Sequence, residues 1–312
     1  MKNILICGGL GFLGSHLAQR LEEDNNVIIV DSLISGSEKN TKYLNKSVVY
    51  SNLKVEDLCP DYFHMKIDEI YHLASIASPP IYQKYPLETA LANSLGTYKL
   101  LELAKYYNAK ILYCSTSEVY GDPEENPQKE DYRGPVNTLG IRSCYDESKR
   151  FGETLCYIYS KYYNIDVKIA RIFNTYGDRM LPTDGRIVTN FIHQLIKNKP
   201  LTFYGDGTQT RSFCYVDDTI NGLVTLMEKG KSGEAYNIGN PEEISMLTLG
   251  NILVRLFDKN PATYPAVNKR LPNDDPRVRC PSINKMKKLG WEPKVSLGVG
   301  LIKMIKYIKD NV

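Results

Sequence analysis

A short apolar run, Ile4-Leu5-Ile6-Cys7, stops at Gly8-Gly9-Leu10-Gly11-Phe12-Leu13-Gly14, and a helical pattern with Leu17, Ala18 and Leu21 on one side follows directly. No other feature of the chain constrains its fold as much. A pyrophosphate bound at such a junction must come close to the backbone and meet the N-terminal amides of the helix. A side chain at Gly8 or Gly11 would block that approach, and Gly14 lets helix and strand pack tightly. A second apolar run, Val27-Ile28-Ile29-Val30, ends at Asp31, 23 residues after Gly8. A carboxylate there can accept both adenosine ribose hydroxyls and repels a 2′-phosphate, so the reading is NAD rather than NADP.

Further apolar runs at Val48–Tyr50, Ile67–Leu73, Ile111–Cys114 and Val167–Ala170 fit strands covered on both faces of a parallel sheet. Helical stretches over Leu87–Tyr107 and Tyr145–Tyr163 alternate with the later strands. The expectation is a Rossmann-type doubly wound α/β domain over 1–173. After Asn174 the rhythm breaks, and Pro261, Pro265, Pro272, Pro276, Pro281 and Pro293 punctuate the last third. Residues 174–312 read mostly as a smaller α/β substrate lobe, with a return to the first domain at about 213–239. A cleft between two lobes is a common ligand site.

Composition narrows the classes. Of 312 residues 42% are hydrophobic, with 39 Lys plus Arg against 36 Asp plus Glu, which suits a globular chain and leaves no basic block for nucleic acid. No apolar run approaches the ~18–20 residues of a membrane helix, and the N-terminus does not read as a signal peptide. Seven cysteines without a Cys-x-x-Cys pair, and four histidines without His-Glu-x-x-His, read as reduced thiols and no metal site. These features point to a cytoplasmic protein.

The chemistry gathers in two places. Ile111-Leu112-Tyr113-Cys114 runs into Ser115-Thr116-Ser117-Glu118-Val119-Tyr120-Gly121, and Tyr145-Asp146-Glu147-Ser148-Lys149 follows. A Tyr and a Lys four apart on a helix share one face. The ammonium lowers the phenol pKa, and the phenolate can then take a proton from a sugar hydroxyl as hydride leaves the same carbon.

With these motifs the chain is identified as a member of the extended short-chain dehydrogenase/reductase superfamily, and within it most resembles the UDP-glucuronate decarboxylases. The resemblance covers nearly the whole length. It rests on the stretches 8–17, His72-Leu73-Ala74-Ser75, 115–123, Cys144–Lys149, 170–177, Gly185-Arg186, Tyr204–Phe213, 237–243 and Asp274-Asp275-Pro276-Arg277. It implies that bound NAD+ oxidises C4 of UDP-glucuronate. CO2 leaves the resulting β-keto acid, C5 is protonated, and hydride returns to give UDP-xylose.

Carried over by position, Tyr145 is the C4-hydroxyl base, Lys149 its partner and ribose ligand, and Thr116 a hydrogen bond to the C4 oxygen. Glu118 and Ser117 flank C5 and the carboxylate, and Arg279 enters the active site, with Arg277 the second choice. Asn174, Arg186, Tyr204 and Arg211 hold the nucleotide sugar, Arg211 at the pyrophosphate. Phe12, Leu13, Ser32, Asn52, Leu53, Leu73, Ala74 and Ser75 join the glycines and Asp31 around NAD. The rivals are a 4,6-dehydratase, whose acid Asp is replaced here by Ser117, a UDP-glucuronate 4-epimerase, and an inactive NAD-binding relative. Leu10 departs from the usual Ala and displaces the helix–phosphate packing slightly, and Asn52-Leu53 stands where an Asp usually meets the adenine. The resemblance also implies a homodimer through a four-helix bundle, with Leu91, Leu95, Leu100 and Leu103 as its apolar face.

Overall fold

A computed structural model describes residues 1–181, 184–270 and 276–311. Pro272, Asp274 and Asp275 of the sequence reading lie outside the described residues. The first half of the chain builds β1 (Asn3–Cys7), α1 (Phe12–Leu21), β2 (Asn26–Asp31), β3 (Val49–Asn52), β4 (Glu69–His72), α2 (Pro79–Lys84), α3 (Pro86–Asn93), α4 (Leu95–Tyr107), β5 (Lys110–Thr116), α5 (Ser143–Tyr163) and β6 (Val167–Ile172). The second half adds β7 (Thr175–Tyr176), α6 (Ile187–Ile196), β8 (Leu201–Tyr204), β9 (Thr210–Ser212), β10 (Cys214–Tyr215), α7 (Val216–Lys229) and β11 (Ala235–Ile238). It ends with β12 (Glu243–Ser245), α8 (Met246–Leu256), β13 (Ala266–Lys269), α9 (Asn284–Lys288) and α10 (Leu297–Asn311).

Seven strands form one parallel sheet in the order β11-β6-β5-β4-β1-β2-β3. Strand alternation explains why both faces need helices. Along β1, Ile4 and Ile6 pack with Leu17 and Ala18 of α1 and Leu223 and Leu226 of α7, whereas Leu5 and Cys7 pack with Leu100 and Leu103 of α4 and Cys156 of α5. Chain order reverses between β1 and β4, where Cys7 sits beside His72. Loops leaving the carboxyl ends of these strands diverge there and open the crevice in which such sheets bind ligands.

The structure departs from the sequence reading in three local ways. The expected helix Leu87–Tyr107 is two helices, α3 and α4, meeting at Ser94, whose hydroxyl donates to Ala90 O at 2.6 Å. Such a back-bond competes with the helix ladder and bends it. β3 is an edge strand and is not covered on both faces: Val49 is 61% exposed. Leu100 and Leu103 are core residues, 0% and 2% exposed, because they face β4 and β5. They cannot belong to an outward apolar face with the exposed Leu91 and Leu95. Five of the seven cysteines are buried, Cys59 and Cys144 are half-buried, and all are free.

Beyond the sheet, β8 pairs with β13, β9 with β12 and β7 with β10, and α6 and α8 pack near β8. Among the described residues no helix is long and apolar enough to cross a membrane.

Candidate active site

A cavity of about 600 Å³ opens at the carboxyl edge of the sheet, and a narrower one adjoins it. Both are lined by Gly8, Gly11, Leu73 and Ser75. The loop that separates them is tight. Gly8 has φ +81°, and a Cβ there would lie 2.7 Å from the Ala74 amide nitrogen. A Cβ on Gly14 would stand 2.0 Å from Gly8 O, so the first turn of α1 lies directly on the loop. Phe12, Leu13 and Gly14, the first turn of α1, line the larger cavity, and no side chain caps that helix end.

The narrower cavity is lined by Asp31, Ser32, Leu53, Ala74 and Ser75. Burial raises the Asp31 pKa, while backbone amides of Leu33, Leu10 and Gly11 oppose the rise. The Leu33 and Leu10 bonds are 2.9 Å each, one to each carboxylate oxygen. Asn52 pairs with Asp31 in the sheet register but is exposed and lines neither cavity. Leu10, the departure in the loop, is fully buried in the core. A glycine cradle filled by any Cβ, helix-terminal amides beside it and a fixed buried carboxylate one strand away together fit a dinucleotide. Gly8, Gly11 and Gly14 would hold its pyrophosphate, and Asp31 its adenosine ribose.

At the other end of the large cavity stands the tyrosine–lysine pair. Tyr145 is buried, stacks face to face on Tyr82 with ring centroids 5.4 Å apart, and accepts a hydrogen bond from Thr116. Lys149 Nζ donates to Cys114 O at 2.7 Å and lies 6.0 Å from the Tyr145 ring centroid. Here the sequence reading needs correction. Burial pushes the Tyr145 phenol up to about 12, the Thr116 hydrogen bond pulls it down, Glu118 raises it and Arg186 lowers it. Burial likewise brings Lys149 down to about 8. In this geometry the ammonium serves the Cys114 carbonyl, and Thr116 and Arg186 are the groups that lower the phenol.

Ser117 and Glu118 follow β5 in a single short helical turn capped by the Thr116 side chain. Arg279 Nη1 reaches Glu118 Oε1 at 2.9 Å and Ser117 Oγ at 3.1 Å, and its Nη2 donates to Gly121 O at 2.9 Å. On the other carboxylate oxygen lies Arg142, whose Nε is 3.5 Å from Asp146 Oδ2. Burial works to raise the Glu118 pKa, but Arg279, Arg142 and Arg211 outweigh it and hold the group well below the usual carboxylate range. Asp146 is driven the opposite way, by burial and by the Glu118 charge. Arg142 and Asp146 were not singled out from the sequence, although positions 142, 145, 146 and 149 fall on one helical face.

Asn174, Arg186, Tyr204 and Arg211 all line the large cavity. Arg186 also pairs with Asp184 at 3.0 Å. The two arginines of 277–279 separate cleanly. Arg277 is exposed and outside the cavity lining, with its amide on Asp122 and its carbonyl on the Thr210 amide, whereas Arg279 is 1% exposed. Among the described residues no group of His, Cys, Asp and Glu could hold a metal.

Comparison with known proteins agrees with this geometry. Residues 4–239 match the model of the NAD dependent epimerase/dehydratase family. The chain is 46% identical over 315 aligned residues to UDP-glucuronic acid decarboxylase 1 of Danio rerio, covering 100% of this chain and 73% of that protein. Among solved structures, the UDP-glucose 4-epimerase of Thermotoga maritima superposes with a TM-score of 0.91 at 30% identity, covering 99% of each chain. The UDP-glucuronic acid 4-epimerase of Bacillus cereus, solved with UDP-glucuronic acid and NAD, gives 0.88 at 30% identity over 99% of this chain and 100% of that one. The chain belongs to the NAD-dependent epimerase/dehydratase family.

Proposed function

We propose that this chain decarboxylates UDP-glucuronate to UDP-xylose through a C4 ketone, with NAD+ regenerated in each turnover. The observation that carries the reading is Glu118 held between two guanidiniums beside a buried Tyr145 that accepts from Thr116. The 46% identity to a decarboxylase over the whole chain supports it.

When bound, NAD+ supplies a hydride acceptor for C4 and later returns the hydride there. Tyr145 takes the C4-hydroxyl proton, and Thr116 keeps the phenolate and the C4 oxygen in one hydrogen-bonded line. With C4 a ketone, the C5–C6 bond breaks, CO2 departs and its electron pair rests in an enolate. A proton then adds to C5, and Tyr145 gives its proton back to O4. Glu118 and Ser117 flank C5 and the departing carboxylate, and the proton that C5 gains comes from solvent. Lys149 positions the ribose next to the phenol. Asn174, Arg186, Tyr204 and Arg211 hold the nucleotide sugar, Arg211 serving the pyrophosphate with its planar fork. Ser117 offers no carboxyl to protonate a leaving 6-hydroxyl, which argues against 4,6-dehydration.

In this reading residues 1–173, with the return at 213–239, carry the dinucleotide, and 174–312 mostly carry the nucleotide sugar. We also propose a cytoplasmic homodimer. Exposed Leu91, Leu95 and Tyr98 on α3 and α4 and Phe151 and Tyr157 on α5 offer the apolar surface for a four-helix bundle.

A second reading, 4-epimerisation of UDP-glucuronate, is favoured by the likeness to the Bacillus cereus epimerase. Mass spectrometry after incubation with UDP-glucuronate separates the two. A product lighter by one CO2 supports decarboxylation, and conversion to an isomer of unchanged mass refutes it in favour of epimerisation.

A further inference from the structure

Thr116 hydrogen-bonds the Tyr145 oxygen, and Lys149 turns to the Cys114 carbonyl, its Nζ 6.0 Å from the Tyr145 ring centroid. Neither fixes the plane of the ring. Tyr82 lies against that ring with centroids 5.4 Å apart and planes 5° from parallel, the offset-stacked arrangement that aromatic pairs favour. Tyr82 is 1% exposed and lines the large cavity with Tyr145, Thr116 and Glu118. The two rings and Ile76 form an apolar cluster of their own, apart from the two large cores on the faces of the sheet.

The support for Tyr82 comes from across the cavity. Ser78, just before α2, donates its hydroxyl to Asp184 O at 2.7 Å, and Tyr82 N bonds Ser78 O at 2.9 Å. A Cβ on Gly185 would lie 2.7 Å from Pro80 Cγ, so the segment at 184–185 rests on the start of the helix. The Tyr82 hydroxyl adds nothing to this support. It is buried with no hydrogen-bond partner among the described residues, whereas the similarly buried Tyr120 and Tyr176 bond Asn237 Oδ1 at 2.7 Å and Leu297 O at 3.1 Å. A buried phenol normally finds such a partner. Tyr82 is therefore placed by the face of its ring.

We propose that Tyr82 is a positioning residue for the catalytic phenol: its ring fixes the plane in which the Tyr145 oxygen meets both Thr116 and the C4 hydroxyl. The inference rests on Tyr145 as the C4 base of the reading above, and it holds whichever product follows the ketone. A hydrogen bond at the oxygen alone leaves a phenol free to rock about its side-chain bonds, and rocking swings the oxygen away from C4. A flat ring on one face removes that motion. Proton and hydride leave the same carbinol, so an oxygen displaced by about 1 Å costs on the order of 10²-fold in rate. Binding of the nucleotide, which the substrate lobe performs, does not depend on that alignment.

The test compares Tyr82→Leu with Tyr82→Phe, each loaded with NAD+ and each normalised to the sites that bind UDP by calorimetry, which removes any misfolded share. Leu fills much of the space but offers no flat face. Tyr82→Leu should lower kcat for UDP-glucuronate about 30- to 100-fold and change KM and the UDP Kd by no more than about threefold. Tyr82→Phe returns the ring without the hydroxyl and should recover most of that loss. Equal losses in both variants would assign the effect to the hydroxyl and overturn the proposal. So would a Leu variant within about threefold of the parent kcat, or a loss carried by KM and UDP binding instead. A parent that converts UDP-glucuronate without losing CO2 refutes the decarboxylase reading alone, because the ratio of each variant to the parent still decides the role of Tyr82. A parent that leaves UDP-glucuronate unchanged overturns both.

Discussion

Replacing Glu118 with Gln gives a stability loss whose size should depend on pH. Gln keeps the shape and one acceptor oxygen but removes the charge between Arg142 and Arg279. The Arg279 side chain is only 2% exposed, so it becomes a stranded buried cation, a situation that typically costs about 3–5 kcal/mol. A second carboxyl moderates this. Burial and the Glu118 charge push Asp146 up to about 7 from its ordinary 3.8, against the pull of Arg142 and Arg279.

A carboxyl with a raised native pKa binds more protons folded than unfolded between those values. Its contribution therefore falls as pH rises from about 4 to about 7 and is level above. Without Glu118 that penalty shrinks, because Asp146 ionises more easily and supplies an anion to Arg142. The substitution should then cost about 3–4 kcal/mol at pH 5.5 and about half that at pH 8, roughly 6–8 °C against 3–4 °C in melting temperature for a chain of this size. Scanning fluorimetry at both pH values measures it, and in an Asp146→Asn background the two losses should converge. A drop that is equal at both pH values in the parent background, or absent at pH 5.5, would refute the linkage between the two carboxyls.

Further expectations concern other parts of the molecule. Tyr145→Phe should lower turnover by about 10²–10⁴-fold or more while leaving NAD content unchanged, as read by turnover assay and by cofactor released on denaturation. Gly14→Ala puts a Cβ 2.0 Å from Gly8 O; the loop must shift, and purified protein should carry little or no dinucleotide. Leu100→Ala should destabilise the fold by about 2–5 kcal/mol in chemical denaturation. Leu91→Asp, at an exposed position, should leave the fold intact but shift the chain to monomer by light scattering.

Much of the site was legible because it lies close in sequence. The glycine loop, Asp31 and the Thr116–Glu118 turn each occupy one strand end, and strand ends are readable from apolar runs that stop at small or polar residues. Tyr145 and Lys149 could be paired by helical spacing alone. What spacing could not reveal was which groups meet across the fold. Arg279 is brought to Glu118 by Gln128, whose side chain and backbone bond Cys280 and Ser282 on the same segment, 152 positions away in the Cys280 pair. The choice between Arg277 and Arg279 follows from that extended pairing and from no local pattern. The Tyr145 phenol was read as lowered by its lysine, but burial outweighs that effect and Lys149 turns to a backbone carbonyl. Likewise Leu100 and Leu103 share a spacing with exposed Leu91 and Leu95, and only the break at Ser94 and the position of the sheet decide which leucines are core.

The central claim is oxidation at C4 followed by loss of CO2 and return of the same hydride. UDP-glucuronate deuterated at C4, incubated with the purified protein in ordinary water and then analysed by NMR, tests it most directly. The account predicts UDP-xylose that retains the deuterium at C4 and gains a proton at C5, with no net consumption of NAD+. Deuterium lost from C4 in the pentose, or a C4-inverted uronate that keeps its carboxyl, would contradict it.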